Sequence, residues 1–452
     1  MKKQRKLKLS TTHLILLSFL ATVLLGAGLL SLPISSADGK SVAFVDALFT
    51  STTATCVTGL VVVPTATAWS IFGQSVILVL IQLGGLGVIT VLAGIALSLN
   101  RKMRIADSVL LQDAFNLDTL VGLGAFVKKV IIGTFIVEGV GALLYMTVFV
   151  PEFGARGIWI SVFTSISAFC NAGIDIIGEN SLINYATNPM ITAVTSALII
   201  LGGLGYIVWW DLIQVFREKK KGSPLRRLTL HSKIVLSATA VLILGGGLLI
   251  ALFEWNNPNT IGGMSVFEKI QASFFQSVTT RTAGFANVPQ ENLTNPSAFV
   301  SLLLMFIGGS PVGTAGGIKT VTFVVLFATA LVVVKQKGTE VNLFHRSIAR
   351  EAVSKAIGVC CTAFGIMFIS TVLLAAVTDA DALDLIYETV SATATVGLTR
   401  NLTPQLNTLG KLIITATMYL GRVGPISLMI AFNFRKRRPN IIHNPVEKIS
   451  VG

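Results

Sequence analysis

The chain has 452 residues, 53% of them hydrophobic and only 12% charged, with a formal net charge of +14. A soluble fold could bury one or two long apolar helices, but eight apolar runs near or above the roughly 20 residues that cross a bilayer exclude a soluble protein. The positive charge is no nucleic-acid footprint either, because 27 of the 35 Lys and Arg residues cluster at alternate connections between those runs.

In chain order, residues 1–12 form a basic N-terminus with Lys2, Lys3, Arg5, Lys6 and Lys8, and the run 13–33 is the first span. That run is long for a signal-peptide core, and no clear small-residue cleavage pattern follows it. A first unit is expected over 13–99, a second over 126–216, a third over 231–334 and a fourth over 351–434. The linkers 100–125, 217–230 and 335–350 and the tail 435–452 are basic, so the positive-inside rule places them and both termini in the cytoplasm. Acidic residues including Asp46, Asp175, Glu254 and Glu388 fall on the opposite side, where they would concentrate cations. Cys56, Cys170, Cys360 and Cys361 have no metal or disulfide spacing, and packing is their expected role.

Between the two spans of each unit lies a moderately apolar segment too short to cross, ending in a glycine: Val57-Thr58-Gly59, Asn171-Ala172-Gly173, Thr282-Ala283-Gly284 and Thr395-Val396-Gly397. Aligned on these glycines, Phe49, Phe163, Phe274 and Tyr387 coincide, as do Ser51, Ser165, Gln276 and Thr389. A second motif follows about 24 to 29 residues later at Gly84-Gly85, Gly202-Gly203, Gly308-Gly309 and Gly421-Arg422. Close helix packing by small residues explains the second motif alone, but not its coupling to the first. The expected fold is an all-α membrane protein of four tandem repeats, each an outer helix, a re-entrant pore helix with a filter loop, and an inner helix, arranged with fourfold pseudosymmetry around one pore. A cation in such a pore exchanges water for protein oxygens, and glycine can take the φ > 0 geometry that turns successive carbonyls toward one axis.

The third inner span departs from its siblings. Gly308, Gly309, Ser310, Pro311, Gly313, Gly316 and Gly317 crowd helix breakers into residues 308–317, which predicts a loop inside the membrane whose freed backbone groups need local partners. Arg281, Lys319 and Arg422 lie in the pore region, where a charge is costly and must face protein or water. Arg281 is expected to anchor the third pore helix to an acidic neighbour, Lys319 to line the inner mouth or reach lipid headgroups, and Glu138 to partner one of the three. Arg422 stands where Gly85, Gly203 and Gly309 stand in the other repeats. Gly317-Ile318-Lys319-Thr320 fails as a phosphate loop because no glycine stands immediately before the lysine and no buried strand precedes the loop. His13, His231, His345 and His443 are scattered, and no catalytic constellation emerges.

These motifs, over about residues 13–434, resemble the Trk/Ktr/HKT potassium transporter superfamily, most closely the ion-translocating membrane subunit of bacterial Ktr systems. The additional N-terminal pair of spans of the Trk type has no counterpart in this sequence. The resemblance implies K⁺ selectivity from glycine at all four filter positions, since some plant relatives carry serine in the first, with Na⁺ as an activator. It implies that 308–317 is a gate loop obstructing the pore, with Lys319 and Arg422 beside it. It further implies a homodimer in the bacterial cell membrane docked on a cytosolic ring of RCK/KTN-type regulatory subunits, which alone would bind nucleotide, while this chain carries no covalent cofactor. The basic loops would meet that ring or anionic lipids. The expected activity is channel-like K⁺ uptake. An alternating-access cation symporter remains the alternative, although such carriers use inverted repeats and these four all run in one sense.

Overall fold

The computed structural model describes residues 11–98, 112, 122–218, 224–336 and 340–424. The expected N-terminal segment up to residue 10, most of the 100–125 linker, residues 219–223 and 337–339 of the next two linkers, the last part of the fourth repeat and the 435–452 tail lie outside the described residues. Among the described residues the regular elements are helices, joined by loops, apart from a short hairpin pairing Asn342–Leu343 with Arg346–Ser347.

The outer helices are α1 (Thr11–Leu30), α5 (Leu123–Phe153), α9 (Leu230–Glu254) and α13 (Arg350–Ala375). All four are long and apolar enough to cross a membrane. The pore helices are α2 (Phe44–Cys56), α6 (Ala155–Cys170), α10 (Val266–Thr279) and α14 (Ala382–Ala394). At 13 to 16 residues they are too short to span. The inner helices are α3 (Ile71–Leu86) continued by α4 (Val88–Ser98), α7 (Pro189–Leu204) continued by α8 (Tyr206–Arg217), α11 (Asn295–Phe306) continued by α12 (Thr320–Val334), and α15 (Thr408–Val423).

The apolar runs 70–99 and 188–216 read as single spans in the sequence, but each is two helices meeting at 95°. The break falls at Gly87 and at Gly205, both with φ 85° and an extended ψ, a backbone state closed to residues with a Cβ. Gly424 ends α15 in the same conformation. Uniform hydrophobicity hides such a bend, because one glycine changes direction without changing the apolar count.

Each inner helix packs on the pore helix of the next repeat: α3 on α6, α7 on α10, α11 on α14, and α15 back on α2. That cyclic order closes the ring. Side chains tie every joint: Trp159 Nε1 donates to Gln74 at 2.9 Å, Gln271 Nε2 to Thr192 at 3.0 Å, Arg400 Nη1 to the Gln290 carbonyl at 2.9 Å, and Lys411 pairs with Asp46 at 2.6 Å.

Within a repeat, the three helices meet at one small-residue junction. Gly26, Gly141 and Gly246 on the outer helices face Ser51, Ser165 and Ser277 on the pore helices and Leu80, Leu198 and Leu304 on the inner helices. The three serines donate to the outer-helix carbonyls of Val23, Glu138 and Ile243 at 2.7, 2.7 and 2.8 Å. In the fourth repeat hydroxyl pairs replace this arrangement, Thr371 with Thr389 at 2.7 Å and Thr417 with Ser370 at 2.8 Å. The junction corrects the sequence alignment of the third pore helix. Ser277 and the buried Phe275, not Gln276 and Phe274, occupy the positions of Ser51 and Phe49. The third filter loop is one residue shorter, so alignment on the glycine slips the helix by one.

Gly141→Val is expected to destabilise the fold by about 1–3 kcal/mol through overpacking, since its Cβ would already lie 2.5 Å from Ser165 Oγ. Gly139→Ala, which meets open space, is the control and should leave the unfolding transition in detergent unchanged or slightly raised.

Candidate ion pathway

Pore helices α2, α6 and α14 end on residues in the left-handed conformation, Val57 (φ 55°), Asn171 (φ 60°) and Thr395 (φ 51°), and Thr282 (φ 66°) takes that role in the third repeat. The following N–H turns back into the helix in each case, Thr58 to the Thr53 carbonyl, Ala172 to Ser167 and Val396 to Ser391 at 2.8 Å, and Ala283 to Thr279 at 2.9 Å. Glycine would be the ordinary choice for this helix-ending turn. Three of the four residues are instead β-branched, a backbone strain of about 1–3 kcal/mol each that the surroundings must hold.

Four hydroxyls at the same structural position supply that hold. Thr53 Oγ1 accepts from Gly59 N at 2.9 Å and Ser391 Oγ from Gly397 N at 3.0 Å, while Ser167 Oγ donates to the Ile174 carbonyl at 2.5 Å and Thr279 Oγ1 to the Phe285 carbonyl at 2.7 Å. Sequence reading passed over these residues. Their signal is a hydroxyl six residues before the glycine in repeats one, two and four, shifted to five in the shorter third loop.

The four glycines form one ring. A Cβ on Gly59 would lie 2.5 Å from the Ala172 carbonyl oxygen and 3.2–3.3 Å from the Cα atoms of Gly397 and Gly173. A Cβ on Gly173 would meet the Ala283 carbonyl at 2.6 Å, one on Gly284 the Val396 carbonyl, and one on Gly397 the Thr58 carbonyl. Each repeat thus presents the carbonyl before its glycine to the glycine of its neighbour. All four glycines have positive φ, between 65° and 99°. Four backbone oxygens gathered in this ring, walled by buried residues, can replace part of a cation's hydration shell.

Beneath the ring, α11 stops at Phe306 and the chain is pinched by a bridge between Ile307 and Ile318. Ile318 N donates to the Phe306 carbonyl at 3.1 Å and Thr320 N to Gly309 at 3.0 Å, so residues 308–317 hang from one root. This loop docks on the broken inner helix of repeat two: Ser310 N donates to the Gly203 carbonyl at 2.8 Å, Thr314 N to Gly202 at 3.1 Å, and Tyr206 N to Val312 at 3.0 Å. The break at Gly205 and the loop satisfy each other's backbone, the condition for irregular chain at membrane depth. Pro311 and Gly313 lie against that break, Gly316 N donates to Thr282 Oγ1 at 3.0 Å, and a Cβ on Gly316 would strike Thr395 Oγ1. The loop therefore runs directly below the filter.

All three basic residues of this region spend a donor on the loop's carbonyls. Arg422 Nη1 donates to Thr314 O at 2.8 Å and Nη2 to Gly84 O at 2.5 Å, bridging the loop to the first inner helix. Lys319 folds back so that Nζ donates to Ala315 O at 2.6 Å, instead of reaching lipid headgroups. Arg281, only 7% exposed, donates Nη2 to Gly308 O at 3.4 Å; its expected acidic anchor is replaced by a carbonyl. Glu138 pairs with none of them. Its carboxylate accepts from Gln82 Nε2 at 3.2 Å and faces Cys170 Sγ at 3.8 Å, between repeats one and two. A loop that interrupts a helix frees carbonyls, and these attract the nearest cations more cheaply than a distant carboxylate could.

The fold and this site define a membrane protein of four pseudo-symmetric repeats around one axial pathway, with a carbonyl ring above an intramembrane loop. The chain belongs to the TrkH cation transport protein family, whose profile matches residues 3–443. It is 37% identical to the potassium/sodium uptake protein NtpJ of Enterococcus hirae, covering 100% of this chain and 99% of that one. It is also 37% identical to the Ktr system potassium uptake protein B of Bacillus subtilis, covering 96% and 95%, and 36% identical to the protein of the same name from Vibrio alginolyticus, covering 100% and 97%. The crystal structure of the potassium transporter TrkH from Vibrio parahaemolyticus shares the fold at a TM-score of 0.74 with 16% identity, over 95% of this chain and 86% of that one.

Proposed function

We propose that this protein conducts K⁺ inward across the cell membrane in a channel-like manner, as the membrane subunit of a Ktr-type system. The observation that carries the reading is the ring in which each filter glycine abuts the carbonyl of the next repeat, so that one backbone oxygen from each repeat is gathered into a single cluster. Relatives named as potassium uptake proteins at 36–37% identity support K⁺ as the ion. In this reading Val57, Thr58 and Gly59 with their counterparts in repeats two to four are the filter. Residues 308–317 are the gate, pinned by Lys319 and Arg422. Inward movement is driven by the membrane potential, worth about 2.3 kcal/mol per charge for each 100 mV. A homodimer with cytoplasmic termini, seated on a cytosolic nucleotide-binding ring and activated by Na⁺, completes the proposal, with the basic linkers facing that ring.

The bent inner helices are also a feature of alternating-access carriers. The two mechanisms separate on one experiment. Deleting residues 310–316 from the reconstituted protein is expected to leave assembly intact, raise dissipative K⁺ flux and loosen control by the cytosolic partner. A carrier would lose coupled transport on the same deletion, and an assembled variant that conducts no more than the parent protein overturns the gate assignment.

A further inference from the structure

The residues two positions before the filter glycines have a second set of neighbours below them. Thr314 Oγ1, in the loop, donates to the Phe169 carbonyl at 2.9 Å and lies 3.4 Å from the Asn171 side-chain amide. Gly316 N donates to Thr282 Oγ1 at 3.0 Å. At Gly316 there is no room for a Cβ against Thr395 Oγ1 and the Ala394 carbonyl, and the buried Thr395 hydroxyl has no hydrogen-bond partner of its own. Three of the four left-handed residues that set the filter loops therefore touch the intramembrane loop. The fourth, Val57, packs instead on Gly84, whose carbonyl is held by Arg422.

We infer that the loop is a structural part of the filter, with Thr314 and Thr282 as specificity-determining residues, so that ion preference changes when the loop moves. The physical reason lies in the strained backbone at Thr282 and Thr395 and in the left-handed turn at Asn171. Those residues keep positive φ only while their surroundings over-determine it, and the loop contributes contacts from one side. Withdrawing it removes a donor from the Phe169 carbonyl and one from Thr282 Oγ1, and the carbonyls one residue further on relax with them. The loop thereby both obstructs the path and braces the ring. This inference rests on the filter and gate readings proposed above, and its test separates its own failure from theirs.

The experiment uses the full chain in proteoliposomes, with the K⁺-to-Na⁺ permeability ratio taken from reversal potentials and flux normalised to assembled protein. Thr314→Val lies outside the ring, so a role in gating alone would raise K⁺ and Na⁺ flux by the same factor. The expected result is a rise in flux together with a ratio lowered about fivefold, the value of one net hydrogen bond, and recovery of both by Thr314→Ser. Equal increases for both ions overturn the inference and leave the gate standing. A second arm is independent of whether Thr314→Val assembles. Thr282→Val should lower the ratio in the full chain but produce no further change where residues 310–316 are deleted. The same drop in both backgrounds means that Thr282 acts on the ion alone, and the coupling is wrong while the filter assignment survives. No rise in flux on deletion removes the gate, and this inference with it.

Discussion

Gly59→Ser is expected to collapse discrimination between K⁺ and Na⁺, lowering the permeability ratio about tenfold or more. Gly59 has φ 98°, where a residue with a Cβ carries strain of about 1–3 kcal/mol. Each 1.4 kcal/mol is a factor of about ten in site occupancy. The added Cβ would lie 2.5 Å from the Ala172 carbonyl oxygen, one of the four that form the ring. That oxygen must move, and the serine hydroxyl brings a new oxygen whose position suits a smaller ion. Gly173→Ser and Gly284→Ser should act in the same direction, because each glycine abuts its neighbour's carbonyl in the same way. Reversal potentials in bi-ionic gradients measure the ratio. A folded Gly59→Ser protein with an unchanged ratio would remove this residue from the filter.

Arg422→Ala should have the largest effect on basal flux. The guanidinium holds the Thr314 carbonyl at 2.8 Å and the Gly84 carbonyl at 2.5 Å, one from the loop and one from the first inner helix. Hydrogen bonds from a charged donor are worth about 1.5–3 kcal/mol each, so losing the one to the loop shifts the closed-to-open balance by about tenfold or more. Removing the positive charge beside the cation path acts in the same sense. Arg422→Lys keeps the charge but reaches with one ammonium where the planar fork reached in two directions, and should fall between the parent protein and alanine. A purely packing arginine would give less folded protein at unchanged flux per molecule. Flux per assembled protein therefore decides the matter: Ala and Lys variants equal to the parent protein on that scale would exclude Arg422 from the gate.

Much of this architecture was legible because its signals are local. A glycine at the end of an apolar segment too short to span, met four times with a second glycine motif behind it, identifies re-entrant loops and their inner helices without any tertiary information. The same holds for residues 308–317, where the density of helix breakers forbids a continuous span. The bends at Gly87 and Gly205 were missed because a glycine within an apolar helix looks the same whether it serves close packing or a change of direction. The third pore helix was misaligned by one residue because the glycine anchored the alignment, while the true invariant was the Ser277 contact to the outer helix.

What the sequence by itself determined, then, is the number of repeats, the residues of the ring and the presence of a broken third inner helix. These follow from chain length in a bilayer and from the backbone freedom of glycine, both properties of short segments. The tertiary structure decided who partners whom: Arg422 with a carbonyl 338 residues away, Thr314 with one 145 residues away, Arg281 with the root of the loop, and Glu138 with Gln82 instead of any cation. A buried charge takes whatever acceptor the closing of the ring brings within reach, and no periodicity along the chain encodes which carbonyl that will be.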